Sequence, residues 1–477
     1  MSVTPTQPVA LTASQTTLLS YPLTDSGQGE RIIALFGQDL RYCIEMRKWL
    51  VWDGRRWEID QRGAASQLAK HAARLLHDQA PQVTAIRNFA RTSESDARIR
   101  AALKRASTEE GIYISAVELD QNPYSMNCWN GTVDLRNGEL LPHDRQAMIT
   151  KVCPIAYDPA ASCPLFLKFL HWAMGGSPDG EICSQAAARM VGYLQRAFGY
   201  ALTADVSERA VFVFWGEKGN NGKTTLLSTF QALLGPYAAQ LSVDNLTTIS
   251  RDAALRADLA DLRGARFVIS SEIEQDHRLS EGKLKYLTAG TGSIKSCRKY
   301  ENPIEFPATH KLFVDCNYRP TVRGVDDAIW GRLKLIPFAV SVKEEDLDRR
   351  LLDKLLTEAR GILAWAVRGC TAWITEGLGD PPEIGQAGLE WRQHDDPLQD
   401  FLQDRCHSEA GLWVSTSALT AAYLSWCVEN RERFPLGRVQ FAERIRGAGY
   451  KLSRSRRSGG HQLRTWEGLT LSGTQGR

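Results

Sequence analysis

The period of the apolar positions changes several times along the chain, and the changes mark its parts. Residues 1–28 are rich in Thr, Ser, Gln and Pro with few large apolar side chains, which predicts a flexible tail. From Arg31 the run RIIALF predicts a helix. In LVWDGRRWEI, residues 50–59, apolar and aromatic positions flank Asp53-Gly54, the signature of a tight hairpin. A helical stretch follows over 64–76. Residues 84–106 mix Arg87, Arg91, Arg98, Arg100 and Arg105 with alanines and acids, the pattern of a solvated helix face. Past Cys128-Trp129 the pattern turns to short strands punctuated by Asn130-Gly131 and Asn137-Gly138. Helical periodicity returns over 164–202, broken by a turn at 175–179, and predicts a helical collar.

Short, almost wholly apolar runs come next: VFVFW at 211–215, RFVIS at 266–270, HKLFVDC at 310–316 and RLKLIPF at 332–338. Each predicts a buried core strand. Residues 381–396, with Gly, Pro and Glu, predict a linker. A helix over 397–405 follows, then one capped by Ser415 and running to about 430, then an amphipathic helix over 439–447. Residues 450–471 predict a two-stranded wing with Gly459-Gly460 at its tip. The expected parts are therefore a tail (1–28), an α-rich N-terminal region with its collar (29–205), an α/β core (206–380), a linker (381–396) and a C-terminal domain (397–477).

The candidate chemistry sits in the core. The strand at 211–215 runs into Gly216-Glu217-Lys218-Gly219-Asn220-Asn221-Gly222-Lys223-Thr224-Thr225 and then a helical pattern, the strand–loop–helix order of a phosphate-binding loop. Small residues let successive backbone N–H groups turn toward an anion, and the helix N-terminus adds partial positive charge. Lys223 is expected to reach the β- and γ-phosphates of ATP, and the Thr224 hydroxyl to hold Mg²⁺. The strict pattern has glycine where Glu217 stands, so this loop is one residue longer or its first turn differs.

The second core strand ends in Glu272 and Glu274, acids suited to Mg²⁺ and to activating water beside a phosphate loop. Which of the two does which is not legible. Glycines followed by Lys295, Arg298, Lys299 and Tyr300 suggest a hairpin that touches phosphates and stacks on bases. Asn317 ends the third strand, where an amide can orient the attacking water. Arg332 opens the fourth, where a guanidinium can stabilise charge on a neighbouring subunit's nucleotide. In the C-terminal domain Arg438, Arg444, Arg446, Lys451, Arg454, Arg456, Arg457 and Arg464 cluster against few acids, so a helix plus basic wing suggests duplex DNA.

Composition narrows the picture only a little. The net charge of +3 announces no polyanion partner, so nucleic-acid contacts must be local patches. The ten cysteines form no Cys-x-x-Cys pair, which argues against a zinc site and for reduced thiols. No long apolar run or signal-peptide pattern suggests a membrane or export role, and a cytoplasmic setting, of a bacterial host, is expected.

The ordered set GEKGNNGKTT (216–225), SSEIE (270–274), KLKYLTAGTGSIKSCRKYENPIEF (283–306), HKLFVDCN (310–317) and DDAIWGRLKLIPF (326–338) resembles superfamily 3 helicases. It is most similar to the phage and plasmid primase-helicase family related to the poxvirus primase-helicase. NPYSMNCWNGTVDLRNGELLPHD (122–144) resembles the domain that precedes the helicase in that family, and the C-terminal segment resembles its winged-helix end. The resemblance spans roughly residues 30–470. It implies an AAA+-like P-loop ATPase core, an α-rich N-terminal region, a C-terminal winged-helix domain, ring assembly (usually hexameric) and ATP-driven movement along single-stranded DNA.

By motif match, Gly222, Lys223 and Thr224 take the phosphate-loop roles, Glu272 and Glu274 the acidic Mg²⁺ and water positions, and Asn317 the polar sensor. Arg332 takes the arginine finger, and Lys295, Arg298 and Lys299 fall in the DNA-contacting pore hairpin. The Thr-Gly-Gly-Asp common in the family becomes Thr288-Ala289-Gly290-Thr291 here, which leaves the hairpin register open. No pair of metal-binding aspartates on a strand suggests a primase domain, so priming is expected from another chain. The expected function is an ATP-dependent DNA helicase. The alternatives are an ATP-regulated DNA-binding replication initiator that does not unwind, and an ATPase acting on protein or RNA.

Overall fold

A computed structural model of the chain describes residues 18–177, 184–248, 258–271, 278–296, 304–322, 327–394, 397–430, 435–458 and 461–472. The first helix, α1 (Asp25–Phe36), begins inside the stretch expected to be tail. Thr24 caps it, its hydroxyl accepting from Gly27 N at 3.1 Å. The fully buried Arg31 binds the preceding backbone, donating to Leu18 O at 2.8 Å, Pro22 O at 3.0 Å and Tyr21 O. Composition alone hid this anchor, because one arginine holds a stretch that has little apolar surface of its own.

The expected hairpin is present, with β2 (Lys48–Trp52) antiparallel to β3 (Trp57–Ile59) and Trp52 opposite Trp57. β1 (Leu40–Cys43) and β4 (Tyr113–Ile114) complete that sheet. Helices α2 (Ala64–Gln79), α3 (Thr84–Ser93) and α4 (Asp96–Ala106) follow the hairpin. The arginine-rich stretch is solvated, as in the exposed Arg98–Asp25 pair at 2.7 Å. A small antiparallel sheet of β5 (Ser125–Cys128), β6 (Gly131–Asp134) and β7 (Glu139–Leu141) comes next, with the two Asn-Gly pairs at its turns.

The collar helices are α5 (Pro164–Ala173) and α6 (Gln185–Leu202). The core is a five-stranded, all-parallel sheet in the order β14 (Leu333–Pro337), β8 (Val211–Trp215), β13 (Lys311–Cys316), β10 (Phe267–Ser271) and β9 (Ala238–Gln240). Because side chains alternate across a strand, each apolar run serves two cores. Phe212, Phe214, Phe267, Phe313 and Ile336 join the collar on one face, and Val211, Val213, Val268, Leu312 and Leu335 pack on the other. Phe198 of α6 stacks on Phe313 at 5.4 Å and on Phe230 at 3.8 Å. Such aromatic pairs contribute about 1 kcal/mol each beyond burial and join collar to sheet.

Phe230 lies on α7 (Lys223–Leu234), the helix that leaves the phosphate loop. Helix α11 (Ala359–Glu376), which follows α10 (Leu351–Thr357), also packs on α6. A Cβ on Gly199 would fall 2.1 Å from Cys370 N, so α6 and α11 meet backbone to backbone.

Before β13, α8 (Glu281–Leu287) leads to the antiparallel hairpin β11 (Ser293–Ser296) and β12 (Ile304–Pro307). A single helical turn, α9 (Asp327–Trp330), precedes β14. The segment read as a linker is instead helix α12 (Pro382–His394), packed on the core. Its Trp391 is 1% exposed and donates its indole N–H to Pro320 O at 3.1 Å.

The C-terminal domain runs α13 (Pro397–Arg405), β15 (Cys406–Ser415), α14 (Thr416–Glu429), α15 (Arg438–Gly447), β16 (Lys451–Ser458) and β17 (His461–Leu471). Ser415 caps α14, accepting from Ala418 N at 3.1 Å. The expected two-stranded wing has a third strand, β15, giving the order β15-β17-β16. The polar CHSEAG start of β15 shows no apolar alternation, which concealed it. Phe401, Tyr423, Phe441 and Trp466 fill a separate small core. The described cysteines are free thiols, and no helix among the described residues is long and apolar enough to cross a membrane.

Candidate functional site

Parallel strands present their C-terminal ends together, and the crevice there is where such sheets bind ligands. At that edge β8 gives way to the loop 216–222, and α7 starts at Lys223. Glu217 to Asn220 are exposed. Asn220 and Gly222 are left-handed, with φ of 56° and 88°, which turns the backbone through the tight arc that a phosphate cradle needs. Gly216 is required by close approach: a Cβ there would lie 2.5 Å from the Asn221 side-chain nitrogen and 2.6 Å from Phe338 O. A Cβ on Gly219 would meet nothing, so that glycine leaves open space over the loop. The Asn221 amide closes the turn by donating to Lys218 O at 2.6 Å.

Lys223 is buried at the base of the loop. Its ammonium donates to Gly216 O and Asn221 Oδ1, both at 3.2 Å, and to Asn317 Oδ1 at 3.0 Å. Burial lowers its pKa from the usual lysine value, and the Asp315 carboxylate, 3.8 Å away, opposes that shift. The Thr224 hydroxyl donates to Asp315 Oδ2 at 2.7 Å, and the Thr225 backbone carbonyl accepts from the Thr229 hydroxyl at 2.7 Å. A cradle of left-handed residues, an ammonium, a hydroxyl and a helix N-terminus is a donor set that fits a nucleotide's phosphates. The hydroxyl and carboxylate are hard oxygen ligands of the kind that fit Mg²⁺.

The sheet thus brings together the loop residues Gly216, Gly219, Asn220, Asn221, Gly222, Lys223, Thr224 and Thr225 with Asn317. Asp315 was missed. Its signal was a carboxylate set inside an otherwise apolar strand, where burial demands a partner. Glu272 and Glu274 lie outside the described residues, directly after β10, the strand beside β13. Arg332 precedes β14 at the opposite edge of the sheet from the loop, where its backbone carbonyl accepts from Val211 N at 2.8 Å. Its guanidinium donates to Thr288 O at 2.6 Å and Thr288 Oγ1 at 2.9 Å. It is therefore remote from its own chain's phosphate loop.

Of the basic candidates, Lys295 stands on β11 with its side chain 75% exposed, 3.7 Å from Glu305 across the hairpin. Arg298 and Lys299 lie outside the described residues. Arg446 is exposed, its guanidinium 6.0 Å from the Trp466 ring. Arg444 is only 9% exposed, a correction to its place among the surface arginines: on α15 it shares the inward face with Phe441 and Ile445. Arg454, Arg456 and Arg457 lie on β16, their side chains outside the described set.

Residues 29–175 match the family described as "D5 N terminal like", and residues 214–332 match a "Family of unknown function (DUF5906)". Among curated proteins, the chain is 27% identical over 307 residues to the "Putative helicase L207/L206" of Acanthamoeba polyphaga mimivirus, covering 60% of this chain and 31% of that protein. It is 27% identical over 256 residues to the "Putative helicase 022R" of Frog virus 3, covering 48% and 26%. It is 25% identical over 223 residues to the "Putative primase C962R" of African swine fever virus, covering 45% and 22%. The chain thus spans about a third or less of the length of these relatives. Among solved structures it is similar to "The apo structure of NrS-1 C terminal region (305-718)", with 11% identity, a TM-score of 0.45 and coverage of 90% of this chain and 96% of that one.

Proposed function

We propose that this chain is a member of the D5-like primase-helicase family and an ATP-dependent DNA helicase of phage, plasmid or mobile-element replication. The observation that carries the reading is the convergence of Lys223, Thr224 and Asn317 at the C-terminal edge of an all-parallel sheet. It supports an AAA+-like P-loop core of the superfamily 3 type.

In this reading the loop N–H groups and Lys223 hold the phosphates of ATP, and Thr224 with Glu272 holds Mg²⁺, which supplies charge neutralisation when bound. Glu272 or Glu274 takes the proton of the attacking water, and Asn317 orients that water. The remoteness of Arg332 from its own loop favours a role in a neighbouring subunit's site, hence ring assembly, expected to be hexameric. Lys295 on β11, with Arg298 and Lys299 that follow it in sequence, grips single-stranded DNA.

The helix–strand–helix–helix–strand–strand order of the C-terminal domain supports a winged helix on duplex DNA, through Arg446, Arg454, Arg456 and Arg457. A separate primase or replication protein is a partner in this reading. The setting is the cytoplasm of the bacterial host.

Strand displacement tests the reading. Purified protein with ATP and Mg²⁺ is expected to release the labelled strand of a forked DNA. DNA binding without displacement would shift the assignment to an initiator that does not unwind.

A further inference from the structure

Among the described residues, the acid that contacts the phosphate loop stands on β13, the strand beside the one expected to supply it. In the register of the sheet, Asp315 on β13 stands beside Ser271 on β10, so at this level the expected acidic strand offers a hydroxyl. The carboxylate comes instead from the strand that carries Asn317, two residues before it. β13 lies directly between β8 and β10, one strand closer to the loop. From there Asp315 accepts the Thr224 hydroxyl proton at 2.7 Å and faces the Lys223 ammonium at 3.8 Å.

A threonine oxygen can ligate a cation only through a lone pair, so its proton must point elsewhere. Here the proton points at Asp315 Oδ2, which fixes the Cβ–Oγ1 rotamer and leaves the lone pairs for a cation. Mg²⁺ keeps several waters and takes few protein ligands beside nucleotide phosphates, so a single oriented hydroxyl matters to its site. No group of three or more His, Cys, Asp or Glu side chains suited to a metal occurs among the described residues.

We propose that Asp315 is the positioning residue of the Mg²⁺–nucleotide site, orienting Thr224 from the sensor strand. This rests on the nucleotide-site reading above.

The test is calorimetric binding of ADP to the full chain, with Mg²⁺ and with EDTA, so that no turnover is needed. Wild type is expected to bind ADP more tightly with Mg²⁺. The isosteric Asp315→Asn should lower that Mg²⁺ enhancement by about tenfold. Its binding in EDTA should be unchanged or tighter, since a negative charge near the phosphates is gone. Asp315→Glu should recover part of the enhancement. Thr224→Val, with Asp315 intact, should lose the same enhancement, and the double variant should lose no more than either single one.

Equal enhancement in wild type and Asp315→Asn, or losses that add in the double variant, would overturn the proposal. Should Asp315→Asn not fold, the Thr224→Val result decides: an undiminished enhancement there also overturns it. No ADP binding by wild type in either condition would remove the nucleotide site itself, a distinct failure that takes the proposal with it.

Discussion

Lys223 Nζ donates to Asn317 Oδ1 at 3.0 Å, across 94 positions of sequence. The contact joins the residue expected on the phosphates to the one expected to sense them. Asn317→Ala is expected to lower ATP hydrolysis by roughly a hundredfold, the usual cost of one oriented polar group at a reacting centre. ATP affinity should change little, because the cradle and Lys223 remain. Steady-state hydrolysis beside equilibrium nucleotide binding checks this, and a parallel loss of both would place Asn317 in binding rather than chemistry.

Arg332 contacts Thr288 rather than its own loop, so its effect on hydrolysis should depend on assembly. Arg332→Ala is expected to lose about a thousandfold in turnover while still binding nucleotide. Mixing it with the Lys223→Ala variant should restore turnover in part, since each supplies the half-site the other lacks. Absence of any rescue in co-assembled rings, shown by light scattering, would argue against a role across the interface.

Of the basic residues expected in the pore, Lys295 stands on β11, and Arg298 and Lys299 follow it in sequence. Replacing Lys295, Arg298 and Lys299 together by alanine should leave basal hydrolysis intact but abolish its stimulation by single-stranded DNA. The slope of log affinity against log salt should flatten by about 0.7 for each phosphate that the hairpin no longer neutralises. Unchanged stimulation would move the DNA path elsewhere.

His310 is buried at the entrance to β13, and neither ring nitrogen has a hydrogen-bond partner among the described residues. Burial, helped by the neighbouring Lys311 charge, pushes its imidazole down to about 4. Between that value and the ordinary 6.5 the unfolded chain binds a proton that the folded chain refuses. Stability is therefore unaffected above 6.5 and is lost as pH falls toward 4, by about 2 kcal/mol at about pH 5. Urea midpoints near pH 7.5 and pH 5 should fall apart in wild type and come closer in His310→Phe. An equal acid loss in both would exclude His310 as its source.

Much of the core was legible because its physics is local. The strands around Phe212, Val268, Phe313 and Leu335 are short apolar runs, and the loop after Trp215 is dense in Gly and Asn, so strand, turn and helix follow from neighbours alone. What stayed hidden depends on contacts distant in sequence. Asp315 lay within a motif already read, but its partner Thr224 is 91 positions away. Arg31 anchors a segment whose composition looks like tail. The helix around Trp391 reads as a linker until the burial of its indole against Pro320 is seen. β15 pairs with β17 although its first residues have no apolar alternation.

The most direct test of the central claim is ATP hydrolysis by the purified protein, with and without single-stranded DNA, beside Lys223→Ala. Hydrolysis that DNA stimulates, and that disappears in the variant while its melting temperature is preserved, is expected. Hydrolysis that persists undiminished in Lys223→Ala would contradict the claim.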